Sequence, residues 1–374
     1  MKKNRFDRFE LAGAFGDLGT LIPFIIGYIS ILRLDPLGIF FTFGILLIGS
    51  GLFYKTPIPV QPMKAIGGAA IAQATMITPG MVWGSGLVTG LFWLILGLTG
   101  KLTFLSKIAS KPVIRGIVLG LGLLFIKDGV GMMASNWILS FTALILTFLL
   151  LSNRRIPAMF VLLLLGVAAG IYENPALATE LSRLKFEVRV PEFALYQISW
   201  SDLWKGTLLL AIPQIPLTLG NAVIAITQEN NRLFPEHPVT ENRIAVSQGL
   251  MNLLSPILGG IPICHGAGGM AGHVRFGART GGSLILLGSF LLILGTCFSS
   301  SILILFTLFP AGILGVILFF AGLELAVSAR DIGPEKDDFY LMLITAGFSL
   351  WNMGIGFLAG LLVQEMLKRR IFQF

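Results

Sequence analysis

Pro57-Ile58-Pro59-Val60-Gln61-Pro62-Met63-Lys64 and Gly259-Gly260-Ile261-Pro262-Ile263-Cys264-His265-Gly266-Ala267-Gly268-Gly269 interrupt a chain that is otherwise apolar over long runs. Each opens a short apolar segment, and the two stand at corresponding places in the two halves of the chain. Lipid offers no partner for backbone N–H and C=O groups. Irregular backbone at membrane depth therefore survives only where protein buries it or where it lines a cavity. A matched pair of such interruptions is the sequence mark of a transporter whose site lies between two broken segments.

The surrounding composition agrees. The 374 residues are 55% hydrophobic and 12% charged, against about 25% charged in an average soluble domain. Mean hydropathy is +0.85. Fourteen membrane segments are read at 11–31, 36–53, 60–75, 82–99, 112–127, 137–152, 156–172, 203–227, 243–258, 262–276, 282–307, 310–328, 339–351 and 352–367. Segment 9 is amphipathic, and only Trp351-Asn352 separates the last pair. The expected fold class is an all-α polytopic membrane protein forming one integral domain over 1–374. Met1–Glu10 shows neither a cleavable signal nor a transit peptide. Cys264 and Cys297 cannot build a disulfide framework or a four-ligand metal site.

An even segment count puts both termini on one side. Twenty of the 27 Lys+Arg then fall on the face of the termini and six on the opposite face, with Lys64 left inside a segment. This asymmetry puts the termini in the cytoplasm. It also accounts for the net charge of +8 without a nucleic-acid partner. A polar loop over 173–200 divides the chain into repeats 1–180 and 195–374. Seven segments per half make the repeats inverted. Lys111-Pro112-Val113-Ile114-Arg115-Gly116-Ile117-Val118-Leu119 resembles Phe309-Pro310-Ala311-Gly312-Ile313-Leu314-Gly315-Val316-Ile317 accordingly. Segments 3 and 10 become symmetry mates, each opening on a proline. A dozen helical residues reach about 18 Å of a core about 30 Å thick, so both are half-helices.

Two half-helices meeting near the midplane present two N-termini, each with unpaired N–H groups and about half a positive charge. An oxyanion is the natural guest. Gly266, Gly268 and Gly269, with Ala267 between them, let backbone N–H groups approach a ligand; close helix packing is the competing reading, and it extends to Gly272. Lys64 either neutralises an anion or pairs with an acid. Gln61, Asn221 and Thr20 offer amide and hydroxyl donors, and His265 stands next to the half-helix tip. Asp17 and Glu324 are the buried acids that could carry a coupling proton. No cofactor and no metal are expected, because Cys264, His265 and His273 form an incomplete ligand set.

At these residues the chain resembles the molybdate transporter family of bacteria and plants, distant kin of the sulfate permeases. The stretches that carry the resemblance are Gly13-Ala14-Phe15-Gly16-Asp17-Leu18-Gly19-Thr20, Pro59-Val60-Gln61-Pro62-Met63-Lys64-Ala65, Gly220-Asn221-Ala222, and Cys264–Gly269 through Arg275–Gly282. Ser110–Gly116 resembles the wider superfamily. The resemblance implies fourteen segments in two inverted repeats, core and gate domains, and substrate between segments 3 and 10. The soluble C-terminal domain of many sulfate permeases is not expected here, since the chain stops at Phe374. Gly269 stands where those proteins often carry arginine, and Asn221 where they carry an acid.

The function expected is import of molybdate by alternating access across the cell membrane, with tungstate and sulfate as further partners and a homodimer compatible with it. Sulfate transport is the nearest alternative, and a passive anion channel the next. A nucleobase transporter suits Lys64 poorly. An intramembrane enzyme would need a nucleophile–base pair or a metal set, and the sequence offers neither. No ATP-binding loop is visible, so the energy comes from an ion or substrate gradient.

Overall fold

The computed structural model describes residues 3–102, 110–150, 153, 158–177, 179, 186–307, 310–351 and 353–371. Helix α1 (Arg8–Ala14) starts at Asp7, whose carboxylate accepts from the amides of Phe9 and Glu10. A 3-10 turn at Phe15–Asp17 leads into α2 (Leu18–Ile26), and the chain bends by 50° across this break. α3 (Pro36–Tyr54) carries Asp35 as its cap and Pro36 in its first turn, where the missing N–H costs nothing. Strand β1 (Gln61–Pro62) precedes α4 (Lys64–Ala72), and α5 (Pro79–Thr99) begins at a Thr78 cap. Then come α6 (Lys111–Met133), α7 (Trp137–Leu150) and α8 (Ala158–Glu173).

The second half opens with α9, a 34-residue run over Trp200–Leu233. It widens into π turns at Thr207–Ala211 and Thr218–Ala225, on either side of Pro213 and Pro216. Each proline lacks the N–H that regular helical bonding needs. There follow α10 (Glu241–Ile257), β2 (Ile263–Cys264), α11 (Ala267–Arg275), α12 (Gly282–Thr307), α13 (Ala311–Val327), α14 (Lys336–Trp351) and α15 (Met353–Lys368). The split read at Trp351-Asn352 falls between α14 and α15, with Asn352 itself outside the described residues. Among the described residues four helices are long and apolar enough to cross a membrane, and the bent α1–α2 pair makes a fifth.

The helices sort into two bundles. In one, α3 lies along α12, α5 along α10, and α1 against α12; in the other, α6 packs on α13 and α14, α14 on α15, and α7 on α8 and α13. The α6–α13 contact is close because glycines face each other. A Cβ on Gly122 would stand 2.8 Å from the Gly322 carbonyl oxygen, and one on Gly129 would stand 2.7 Å from that of Gly315. Small residues let backbones approach in this way wherever lipid supplies no hydrophobic drive. Phe24 of α2 meets Phe125 of α6 across the seam, with ring centroids 5.3 Å apart.

The two interruptions meet inside the first bundle. β1 and β2 pair antiparallel, Gln61 opposite Cys264 and Pro62 opposite Ile263, and the Met63 amide donates to the Pro262 carbonyl at 2.8 Å. The sequence reading placed the prolines inside first helical turns. Instead Pro62 belongs to a strand and Pro262 precedes one, and α4 and α11 begin later and have nine residues each. A proline cannot donate to a ladder but tolerates extended backbone.

The strand backbone is satisfied from α10. Asn252 exchanges bonds with Ile263, its Oδ1 accepting at 2.9 Å and its Nδ2 donating at 2.6 Å. Gln248 donates to the Ile263 carbonyl and accepts from the His265 amide, and Ser255 donates to the Ile261 carbonyl. Positions 248, 252 and 255 share one helix face. The amphipathic pattern of segment 9 is thus a face turned to irregular backbone, where it replaces the water that lipid excludes.

Candidate substrate site

α4 and α11 each follow one strand of the pair, and residues singled out in the sequence gather around it. Lys64 is the first residue of α4 and only 4% exposed. A Cβ built on Gly268 would meet nothing within 4 Å except Lys64 Nζ, at 4.0 Å, and Gly268 is the exposed residue of its turn. Ala267 beside it is half-buried. A Cβ on Gly266 would overlap the Gln61 amide oxygen and stand 3.3 Å from Asn221 Nδ2. One on Gly269 would stand 2.5 Å from Gln61 Nε2 and 2.6 Å from Asp17 Oδ2. Asp17, Gln61, Lys64, Asn221 and the α11 tip therefore share one neighbourhood.

Within it the glycines differ. Gly266 and Gly269 make room for the Gln61 amide, which donates to both Asp17 oxygens at 2.6 and 2.7 Å. Gly272 makes room for the Gly16 carbonyl. Only Gly268 faces open space toward Lys64. Among the described residues the α11 tip also keeps free donors. The Gly269 amide turns back to the Gly266 carbonyl at 3.0 Å, while Ala267 and Gly268 occupy the first turn, where no intrahelical acceptor exists.

The α4 tip is different. Gln214 of α9 accepts from the amides of Ala65 at 2.8 Å and Ile66 at 3.3 Å, and its own amide donates to Thr218. The expectation of two equivalent helix ends is corrected accordingly: α4 presents the Lys64 ammonium, and α11 presents amides. His265 also has a different part. It is fully buried, its Nδ1 donates to the Pro59 carbonyl at 2.8 Å, and its Nε2 accepts from the Ser247 hydroxyl at 2.8 Å. A carbonyl only accepts, which fixes the tautomer. Nδ1 thus ties the Gly266 stretch to the Pro59 stretch, and Nε2 ties it to α10. Thr20 lies in α2 and Glu324 in α13, and their side chains lie outside the described set.

Residues 9–125 and 206–325 match the family model described as "Molybdate transporter of MFS superfamily". The chain belongs to this molybdate transporter family. It is 35% identical over 415 residues to Molybdate transporter 2 of Arabidopsis thaliana, a match covering 96% of this chain and 87% of that one. To Molybdate transporter 1 of Chlamydomonas reinhardtii it is 29% identical over 472 residues, covering 94% and 90%. Its fold is similar to the transmembrane domain of the cyanobacterium bicarbonate transporter BicA, with a TM-score of 0.68 at 14% identity over 96% of this chain and 98% of that one. The murine anion transporter Slc26a9 in its inward-facing state gives 0.69 at 14% identity over all of this chain and 70% of that one. These likenesses give this molybdate transporter family member the SLC26/BicA fold. Asp17, Gln61, Lys64, Asn221 and the α11 tip all lie within the matched residues.

Sequence reasoning missed the residues that hold this site in shape. Gln214 sits between Pro213 and Pro216 in an apolar run, and a lone amide there was the available signal. Gln248 and Asn252 were visible as the polar stripe of segment 9. Glu10 is fully buried and accepts from the amides of Arg279, Thr280 and Ser283, capping the start of α12.

Proposed function

We propose that this chain is a secondary transporter that imports molybdate by alternating access, holding the dianion between the α11 tip and Lys64. The observation that carries the reading is Gly268. It is a backbone position at a helix N-terminus, open on its Cβ side and facing one buried ammonium. Amides and an ammonium together offer charge-assisted hydrogen bonds to a tetrahedral oxyanion. The Asn221 amide borders the same space. Gln61, Asp17, His265 and Gln214 position the two tips. The names of the plant and algal relatives supply molybdate as the cargo.

In this reading the helices form fourteen membrane segments in two inverted repeats. The first bundle is the core that carries the site, and the second is the gate. The termini lie in the cytoplasm of a cell with this protein in its outer lipid boundary, the plasma membrane, and tungstate shares the path. Asp17 supports proton coupling. Its negative charge beside Lys64 opposes entry of a dianion, and protonation removes that opposition.

Uptake of molybdate into proteoliposomes, with sulfate as competitor and with or without a pH gradient, tests the reading. Saturable uptake that excess sulfate leaves largely intact is the expected result. Displacement by sulfate at equal concentration replaces molybdate with a general oxyanion substrate. Uptake that never saturates makes the chain a channel.

A further inference from the structure

A cavity of about 310 Å3 lies between the bundles at the end of α6 that carries Lys111. One wall is α9, including Gly220 and Gln228; the other holds Lys111, Arg115 and Asp331. Asp331 ends the 3-10 turn that follows α13. Its Oδ2 receives Arg115 Nη2 at 2.6 Å and Lys111 Nζ at 3.1 Å, and Lys111 also donates to its carbonyl at 2.5 Å. Two cations thus share one carboxylate, and the cluster keeps a net positive charge. Arg115 Nε is buried without a hydrogen-bond partner among the described residues. Its Nη groups, of which Nη2 bonds Asp331, carry further N–H donors for a second anion, and the guanidinium fork suits an oxyanion. The cavity and the first site draw on adjacent residues of α9: Gly220 lines the cavity, and the Nδ2 of the next residue, Asn221, stands 3.3 Å from where a Cβ on Gly266 would sit.

We propose that this cavity is a second oxyanion station at the exit, where Lys111 and Arg115 receive the dianion from the half-helix site and Asp331 competes it off into the cytoplasm. The inference rests on the oxyanion reading of the half-helix site. A conducting path needs sites that are attractive enough to enter and weak enough to leave. A bare pair of cations would trap a dianion. A tethered carboxylate on the same two groups refills them as the anion departs.

The test is side-resolved transport in membrane vesicles of both orientations, with radiolabelled molybdate. Asp331→Asn is expected to lower the KM for molybdate presented from the face of the termini about five-fold, and Arg115→Gln to raise it about five-fold, as the loss of one nearby charge requires. The KM from the opposite face stays within about two-fold in both. A merely structural ion pair changes the amount of folded protein, hence the maximal rate, and moves neither KM. Equal KM shifts from both faces, or none, overturn the station while wild-type uptake leaves the half-helix site standing. Absence of uptake by the wild type from either face takes both readings down. Should Asp331→Asn fail to fold, Gln228→Arg adds a cation to the same cavity without touching the ion pair. It is expected to lower the KM from the face of the termini, and an unchanged value overturns the station equally.

Discussion

A side chain at Gly268 would enter open space beside Lys64, whereas one at Gly266 or Gly269 would strike Gln61 or Asp17. Gly268→Val is therefore expected to fold with near-normal apo stability and to lose ligand-induced stabilisation. Gly266→Ala and Gly269→Ala are expected to lose about 1–3 kcal/mol of apo stability through overpacking. Thermal unfolding with and without molybdate separates the classes; a collapsed apo Gly268→Val, or one that binds normally, contradicts the site. Lys64→Ala removes a charge-assisted contact of about 1.5–3 kcal/mol, which weakens molybdate binding by about 10- to 150-fold. Asp17→Asn is expected to keep exchange of bound for free molybdate while losing accumulation driven by a pH gradient. A variant that still accumulates substrate under that gradient moves coupling elsewhere. The glycine cluster was legible as a site in the sequence, but its division of labour was not. Which glycine faces the open space depends on where Gln61 and Asp17 sit, and those residues lie 205 positions before Gly266 and 252 before Gly269 in the chain.

At the scale of elements, the two tips are asymmetric because α9 supplies a glutamine to one of them. Gln214 occupies the donors that an inverted copy would offer to the ligand. Gln214→Ala leaves the Ala65 and Ile66 amides without that acceptor in a buried setting, at a cost of about 1–3 kcal/mol. The variant should lose apo stability by about that amount, while Gln214→Glu, which keeps an acceptor, should lose less. Calorimetric or fluorescence unfolding of the three proteins decides this; equal stability in all would mean the α4 tip is satisfied in some other way. The elements themselves were largely readable. Pro36 with its Asp35 cap opens the segment read from 36, whereas Pro79 with its Thr78 cap starts α5 three residues before the 82 read from the sequence. The starts of α4 and α11 were misplaced because their prolines enter a strand pair, and pairing between residues 61 and 264 leaves no local trace.

At the scale of the molecule, the two bundles meet at a seam that the proposed alternating access requires to move. Gly220 of α9 and Ile114 of α6 face each other across it. A Cβ on Gly220 would stand 3.7 Å from the Ile114 Cβ, within the roughly 3.5–4.5 Å that a disulfide spans. The same Cβ would stand 2.5 Å from Ile114 Cγ2, a clash that replacing Ile114 by cysteine removes. The double variant Gly220→Cys/Ile114→Cys should therefore accept an oxidant and lock the bundles in the arrangement described above. Transport of molybdate is expected to stop on oxidation and to return with reductant, in one and the same protein sample. The native thiols are Cys264, which is buried, and Cys297, which is half-buried; both are present in the single variants, which serve as oxidant controls. A cross-link that forms fully yet leaves uptake unchanged would mean that the seam at Gly220 stays closed throughout the cycle. The moving parts would then have to lie within the first bundle, around the paired strands.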